Sequence, residues 1–121
     1  MTAYLRGSRD FQNVYRRGKR YEGELITAFV LPNKLSHNRF GITASRKALG
    51  NAVHRNRAKR LLRESFHLRE SLLFGLQEKY DWVLNAKRRL PSFKVTAAIE
   101  EFEILVARVA KEESRTQVPG S

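Results

Sequence analysis

The sequence contains no cysteine, which excludes disulfides, thiolate metal sites and a cysteine nucleophile. Acids are scarce: 12 aspartates and glutamates stand against 24 lysines and arginines, giving a formal net charge of +12 and a pI near 10.7. A globular domain so basic points to nucleic acid or an acidic membrane surface. Long hydrophobic runs are also missing. No apolar stretch approaches the length of a spanning helix, and the N-terminus lacks a signal-peptide core, so a cytoplasmic protein is expected. Neither paired carboxylates nor a His-Glu metal spacing occurs in the basic half, and His37, His54 and His67 have no convergent partners in sequence. Catalysis by the protein's own side chains is therefore poorly supported. A chain of 121 residues makes one domain with a modest core.

What the sequence does have is concentrated in residues 39–74, RFGITASRKALGNAVHRNRAKRLLRESFHLRESLLF. The stretch opens as a strand, turns at Gly50-Asn51 and continues as a long helix. At about 100° per residue, Ala58, Leu61, Leu62, Phe66, Leu72, Leu73 and Leu76 gather on one side. Asn56, Lys59, Arg60, Arg63 and His67 gather on the other, with Arg55 and Arg57 at the two borders. Val53 lies toward the polar side, so the regular helix is expected to start after it, with Val53 packed in the preceding turn. Arg69 falls on the apolar side and must snorkel or meet an acid such as Glu70 or Glu78. A charged helix face is ordinarily just solvated, but such faces mix signs to gain i,i+4 pairs. Here no acid occurs between Arg55 and Arg63. Like charges at that density repel, and an external polyanion removes the penalty.

Around this helix the remaining elements follow in order. Residues 1–20 read as a flexible start and a short helix, with Ser8 or Asp10 as its cap and Gly18 as its stop. Phe11, Val14 and Tyr15 share a face, followed at once by Arg16, Arg17, Lys19 and Arg20. Val14 is a core residue by this pattern. Phe11 and Tyr15 suit either the core or a stacking platform for unpaired bases, where aromatics lie beside cations. Residues 24–32 form a strand apolar on both faces, and residues 33–38 a polar loop. A strand over residues 39–46 is expected to pair with it as a hairpin. A further strand spans residues 80–86, with Lys87, Arg88 and Arg89 at its end. Pro91-Ser92 introduces a last helix on which Val95, Ala98, Ile99, Phe102, Leu105, Val106 and Val109 repeat at helical spacing. A single domain over residues 1–113, expected to bind a polyanion, and a disordered tail over 114–121, with polarity setting in from Lys111, complete the chain.

The run GNAVHRNRAKRLLRESF, residues 50–66, resembles the signature of the protein subunit of bacterial ribonuclease P, whose hallmark is an Arg-Asn-Arg core followed by further basic residues on the same helix. The resemblance extends over nearly the whole chain: DFQNVYRRGKR, a strand ending VLPN, RFGITASRK, the signature, and DWVLNAKR, in that order. It implies an α/β (α+β) two-layer sandwich with a mixed four-stranded sheet, element order α-β-β-β-α-β-α, and a left-handed βαβ crossover, an exception to the usual right-handed rule. It also implies that catalysis belongs to an RNA subunit, with Mg2+ bound mainly by RNA phosphates and none by the protein alone.

On that resemblance Arg46, Lys47, Arg55, Asn56, Arg57, Lys59, Arg60 and Arg63 contact the catalytic RNA. Phe11, Tyr15 and Phe29, with Lys47 and Lys87 at the cleft margin, hold the single-stranded 5′ leader of precursor tRNA. The family more often has Phe where Tyr15 stands, and its spacing between Gly41 and Gly50 is slightly shorter. The partners implied are the catalytic RNA and precursor tRNA, with neither DNA nor membrane. A structural RNA-binding protein of the ribosome, without enzyme role, is the alternative that the same charge and fold would serve.

Overall fold

The computed structural model describes residues 3–116. Strands β3 (Ile26–Pro32) and β5 (Tyr80–Ala86) carry apolar residues on both faces and take the middle of the sheet, where both faces can be covered. They run antiparallel, with Ala28 opposite Leu84. β4 (Arg39–Thr43) lies parallel to β5 on its other side, and β2 (Lys19–Glu22) lies antiparallel along β3. A two-residue strand β1 (Ala3–Tyr4) runs parallel to β4. The order is β1-β4-β5-β3-β2, a mixed sheet.

Two expectations change here. The sheet has five strands rather than four, because the N-terminal segment is tied down: Ala3 N–H donates to the Asn38 carbonyl (3.1 Å), Leu5 N–H donates to the Phe40 carbonyl (2.8 Å), and Leu5 is buried. Nor do β3 and β4 form a hairpin. β5 is inserted between them, since a strand buried on both faces gains a full ladder only with a neighbour on each side. Joining the parallel pair β4 and β5 then requires the long crossover that carries the basic helix.

That crossover contains α2 (Arg46–Leu49), α3 (Ala52–Arg69) and a 3-10 turn over Glu70–Gly75. α3 starts where the Asn51 side chain accepts the His54 N–H at 2.9 Å, a standard N-terminal cap. The helix therefore begins before Val53, which leaves that residue 74% exposed on the polar side instead of packed in the preceding turn. Leu72, placed on the apolar face by a continuous helical period, is 41% exposed because the 3-10 turn changes the repeat after Arg69. Arg69 finds its acid on the next helix, with its Nε 2.6 Å from Glu103 Oε2.

α3 and α4 (Val95–Thr116) cover one face of the sheet. Phe40, Phe66, Trp82 and Phe102 are fully buried there, and the Phe40 and Phe66 rings stack with centroids 3.9 Å apart. α1 (Gly7–Arg17) covers part of the other face, where Val14 packs with Leu5 and Val83 against Phe11, Phe29 and Leu31. Its cap position is Arg6, with no side-chain cap bond, rather than Ser8 or Asp10, because the chain turns directly off the β1 pairing. It stops at Gly18, where a Cβ would lie 2.6 Å from the Val14 carbonyl oxygen.

Carboxylates on α4 fasten that helix to the turns around the sheet. Glu101 accepts N–H groups from Glu24 (3.1 Å), Leu25 (2.7 Å) and Ile26 (2.5 Å), so regular strand pairing in β3 begins only at Ile26. Buried Glu113 accepts the N–H of Gln77 and Glu78 and the phenol of Tyr80. Burial, then this carboxylate, pushes the Tyr80 phenol above its ordinary pKa. Because Glu113 anchors the last turns, residues 111–116, expected in a polar tail, are helical. Residues 117–121 of that expected tail lie outside the described residues.

Candidate nucleic-acid interface

The outward face of α3 follows from its period. With Ala58, Leu61, Leu62 and Phe66 buried against the sheet, Asn56, Arg60, Arg63 and His67 are exposed and Lys59 is half-buried. No acid lies among the basic residues of its first turns. Arg46 and Lys47 are exposed on α2, which Ser45 caps by accepting the Ala48 N–H at 3.1 Å. Arg55 and Arg57 behave differently from their neighbours. Arg55 Nε donates to the Ala44 carbonyl (3.1 Å), while Arg57 Nε and Nη2 donate to the carbonyls of Pro91 (2.6 Å) and Phe93 (2.8 Å).

A cleft of about 650 Å³ opens beside α2, lined by Tyr15, Thr27, Thr43, Ser45, Ala48, Asn85 and residues 86–89 together with Glu24. Tyr15 is 38% exposed and donates its hydroxyl to Asn85 Oδ1 at 2.9 Å; Thr43 Oγ1 donates to the same oxygen at 2.7 Å. The Phe29 ring meets Tyr15 edge-on, 4.9 Å between centroids, and Arg20 lies 6.0 Å from the Phe29 centroid. Phe11 is half-buried farther along the same sheet face, with its ring over Gly41. A Cβ at Gly41 would fall 2.3 Å from Phe11 Cζ, so only glycine lets that ring approach the sheet.

Lys87 stands at the cleft margin but is already engaged: its Nζ donates to the Gly23 carbonyl (2.5 Å) and pairs with Glu22. That lysine hydrogen bond, ahead of charge attraction, holds the Glu22 carboxyl below its ordinary pKa. Arg88 and Arg89 are exposed beside it, and the Arg89 guanidinium lies 5.3 Å over the Phe93 ring.

The sequence-predicted residues therefore fall into two adjoining groups: the α2–α3 basic surface, which includes Lys47, and the cleft, which Tyr15 and Lys87 line. Phe29 touches the Tyr15 ring but, like Phe11, stands apart from the cavity lining. Apart from Tyr15 and Lys87, the cleft lining was not assigned from sequence, Thr43, Asn85, Arg88 and Arg89 included. Asn85 carried a signal, as a polar residue near the end of an otherwise apolar strand, and the run of three cations at residues 87–89 carried another. Among the described residues, no group of three or more histidines, aspartates or glutamates converges to suit a metal ion. No helix among them is long and apolar enough to cross a membrane.

The family model described as Ribonuclease P matches residues 1–110, nearly the full chain. The chain belongs to the ribonuclease P protein family. The ribonuclease P protein component of Clostridium botulinum (strain Loch Maree / Type A3) is 39% identical over 83 residues, covering 69% of this chain and 72% of its own. That of Caldanaerobacter subterraneus subsp. tengcongensis is 36% identical over 104 residues, with 86% of each chain covered. Among solved structures, the RNase P protein of Staphylococcus aureus superposes with a TM-score of 0.72 at 28% identity over 89% of this chain and 94% of that one. The Thermotoga maritima RNase P protein gives 0.74 at 27% identity, over 87% and 96%. The chain thus has the function of an accessory protein subunit of ribonuclease P, on the α+β fold that these proteins share. Nothing in these likenesses favours the ribosomal alternative.

Proposed function

We propose that this protein assists an RNA subunit in endonucleolytic removal of the 5′ leader from precursor tRNA by binding both RNAs at adjoining surfaces. The observation that carries the reading is the junction itself: α2, which leads into the acid-free cationic face of α3, lines with Ser45 and Ala48 a cleft that also holds the Tyr15 ring and three consecutive cations. Asn56, Lys59, Arg60 and Arg63, with Arg46 and Lys47, are assigned to the catalytic RNA. Arg55 and Arg57 offer it only the N–H groups they do not already use inward. Tyr15, Phe29 and Phe11 are assigned to unpaired leader bases, which stack on aromatic planes, with Lys47 and Lys87 on the leader phosphates. Mg2+ is assigned to RNA phosphates, and the complex to the cytoplasm.

Reconstitution tests the division of labour. Purified protein with a bacterial ribonuclease P RNA and Mg2+ should cleave precursor tRNA at the mature 5′ end, faster at low Mg2+ than the RNA alone. The RNA-free protein should leave the same substrate intact. Cleavage at that position by protein free of RNA, or no effect of protein on the RNA's reaction, would overturn the proposal.

A further inference from the structure

An arginine that served a polyanion only through its charge would have no need of partners inside the protein. Arg57 has two, the carbonyls of Pro91 and Phe93, which it meets through Nε and Nη2 of one planar fork. Arg55 has one, the carbonyl of Ala44. These acceptors sit at matching places. Ala44 immediately precedes Ser45, which with Ala48 lines one side of the cleft, and residues 87–89, which lead into Pro91 and Phe93, line the other.

We propose that Arg55 and Arg57 are positioning residues that set the two walls of the leader cleft, so that the signature helix and the cleft move as one unit. The proposal rests on the leader-binding reading given above. Arg57 carries the larger share. The segment it grips is held internally only by short-range bonds, Leu90 N–H to Lys87 O, Ser92 N–H to Arg89 O and Phe93 N–H to Leu90 O, each 3.0 Å. Leu90 anchors that turn in the core and the half-buried Phe93 packs against it, while Arg88 and Arg89 stay exposed. Clamping the Phe93 backbone fixes the ring on which Arg89 lies and so aims the cations of that wall. Catalytic RNA docked on α3 would thereby stiffen the cleft that receives the leader.

The test is Arg57→Lys in the reconstituted holoenzyme. Lysine keeps the charge but cannot engage two carbonyls with a rigid fork. The preference for leader-bearing over leaderless tRNA is expected to fall about fivefold or more, the low end of one stacked base. The salt slope for catalytic-RNA binding, which counts charges, is expected to stay. Hydrogen exchange in the free protein should accelerate at the Leu90 and Phe93 amides and hold at Val83 and Leu84. Should Arg57→Lys unfold, Arg55→Lys supplies the same comparison at the opposite wall, read at Ala48 and Leu49. Unchanged leader preference with unchanged exchange would overturn the proposal. So would weakened catalytic-RNA binding with full leader preference, which would make Arg57 an RNA ligand. If unmodified holoenzyme shows no leader preference, the leader reading fails, and exchange alone still decides whether the arginines hold the walls.

Discussion

Tyr15 combines two roles that substitution can separate. Its ring borders the cleft, and its hydroxyl shares Asn85 Oδ1 with Thr43. Tyr15→Phe keeps the plane and loses the hydrogen bond; Tyr15→Leu keeps apolar bulk and loses the plane. If the ring stacks on a leader base, Tyr15→Leu lowers holoenzyme affinity for precursor tRNA by about 1–3 kcal/mol and leaves mature tRNA nearly unaffected, while Tyr15→Phe costs much less. Equal losses for both RNAs would make Tyr15 a packing residue, and thermal unfolding must stay nearly constant for the comparison to count. Phe11 is a poorer probe of stacking because its ring packs over Gly41, so removing it also disturbs the core beneath α1. The aromatic spacing of α1 was legible in the sequence. The closeness of Phe11 to the sheet was not, because it depends on a glycine 30 positions away on another element.

For α3 the sequence was informative because helical period is local: three to four residues decide which face a side chain takes. Ala58, Leu61, Leu62 and Phe66 went inside, and Asn56, Arg60 and Arg63 outside, as their spacing required. The departures came at the ends, where caps and changes of pitch override the period, as at Val53 and Leu72. Arg60 and Arg63 have no inward hydrogen bond among those described, so each is available to a phosphate. Arg60→Ala with Arg63→Ala is expected to weaken catalytic-RNA binding and lower the log K against log salt slope by about 0.7–0.9 for each phosphate no longer neutralised. An unaltered slope would return this face to solvent.

Across the whole molecule, ion pairs link the β2 edge strand to its surroundings: Lys19 meets Glu112 of α4 at 2.8 Å, and Glu22 meets Lys87 just beyond β5. Each lysine hydrogen bond holds its carboxyl below the ordinary value of 4.5. A carboxyl lowered by folding contributes stability that is fully present above its unfolded pKa and is lost as pH falls through the folded one. The urea midpoint is therefore expected to fall when pH drops well below 4.5, and less so in Lys19→Met with Lys87→Met. Both carboxylates are at the surface, so the difference is small and shrinks in high salt. An acid response identical in the double variant would assign it to other groups.

Composition and local period by themselves determined that the chain is basic and cysteine-free, that its central helix has an uncompensated cationic face, and where most strands and helices lie. Each of those properties is set by neighbours within a few residues or by the sum over the chain. Only the tertiary structure decided that β5 enters between β3 and β4, that a two-residue N-terminal strand closes the sheet, and that Arg55 and Arg57 turn part of their donors inward. Arg57 meets carbonyls 34 and 36 positions away. Such backbone acceptors carry no residue-type signature in the sequence, and only the fold brings them within reach of the arginine's fork.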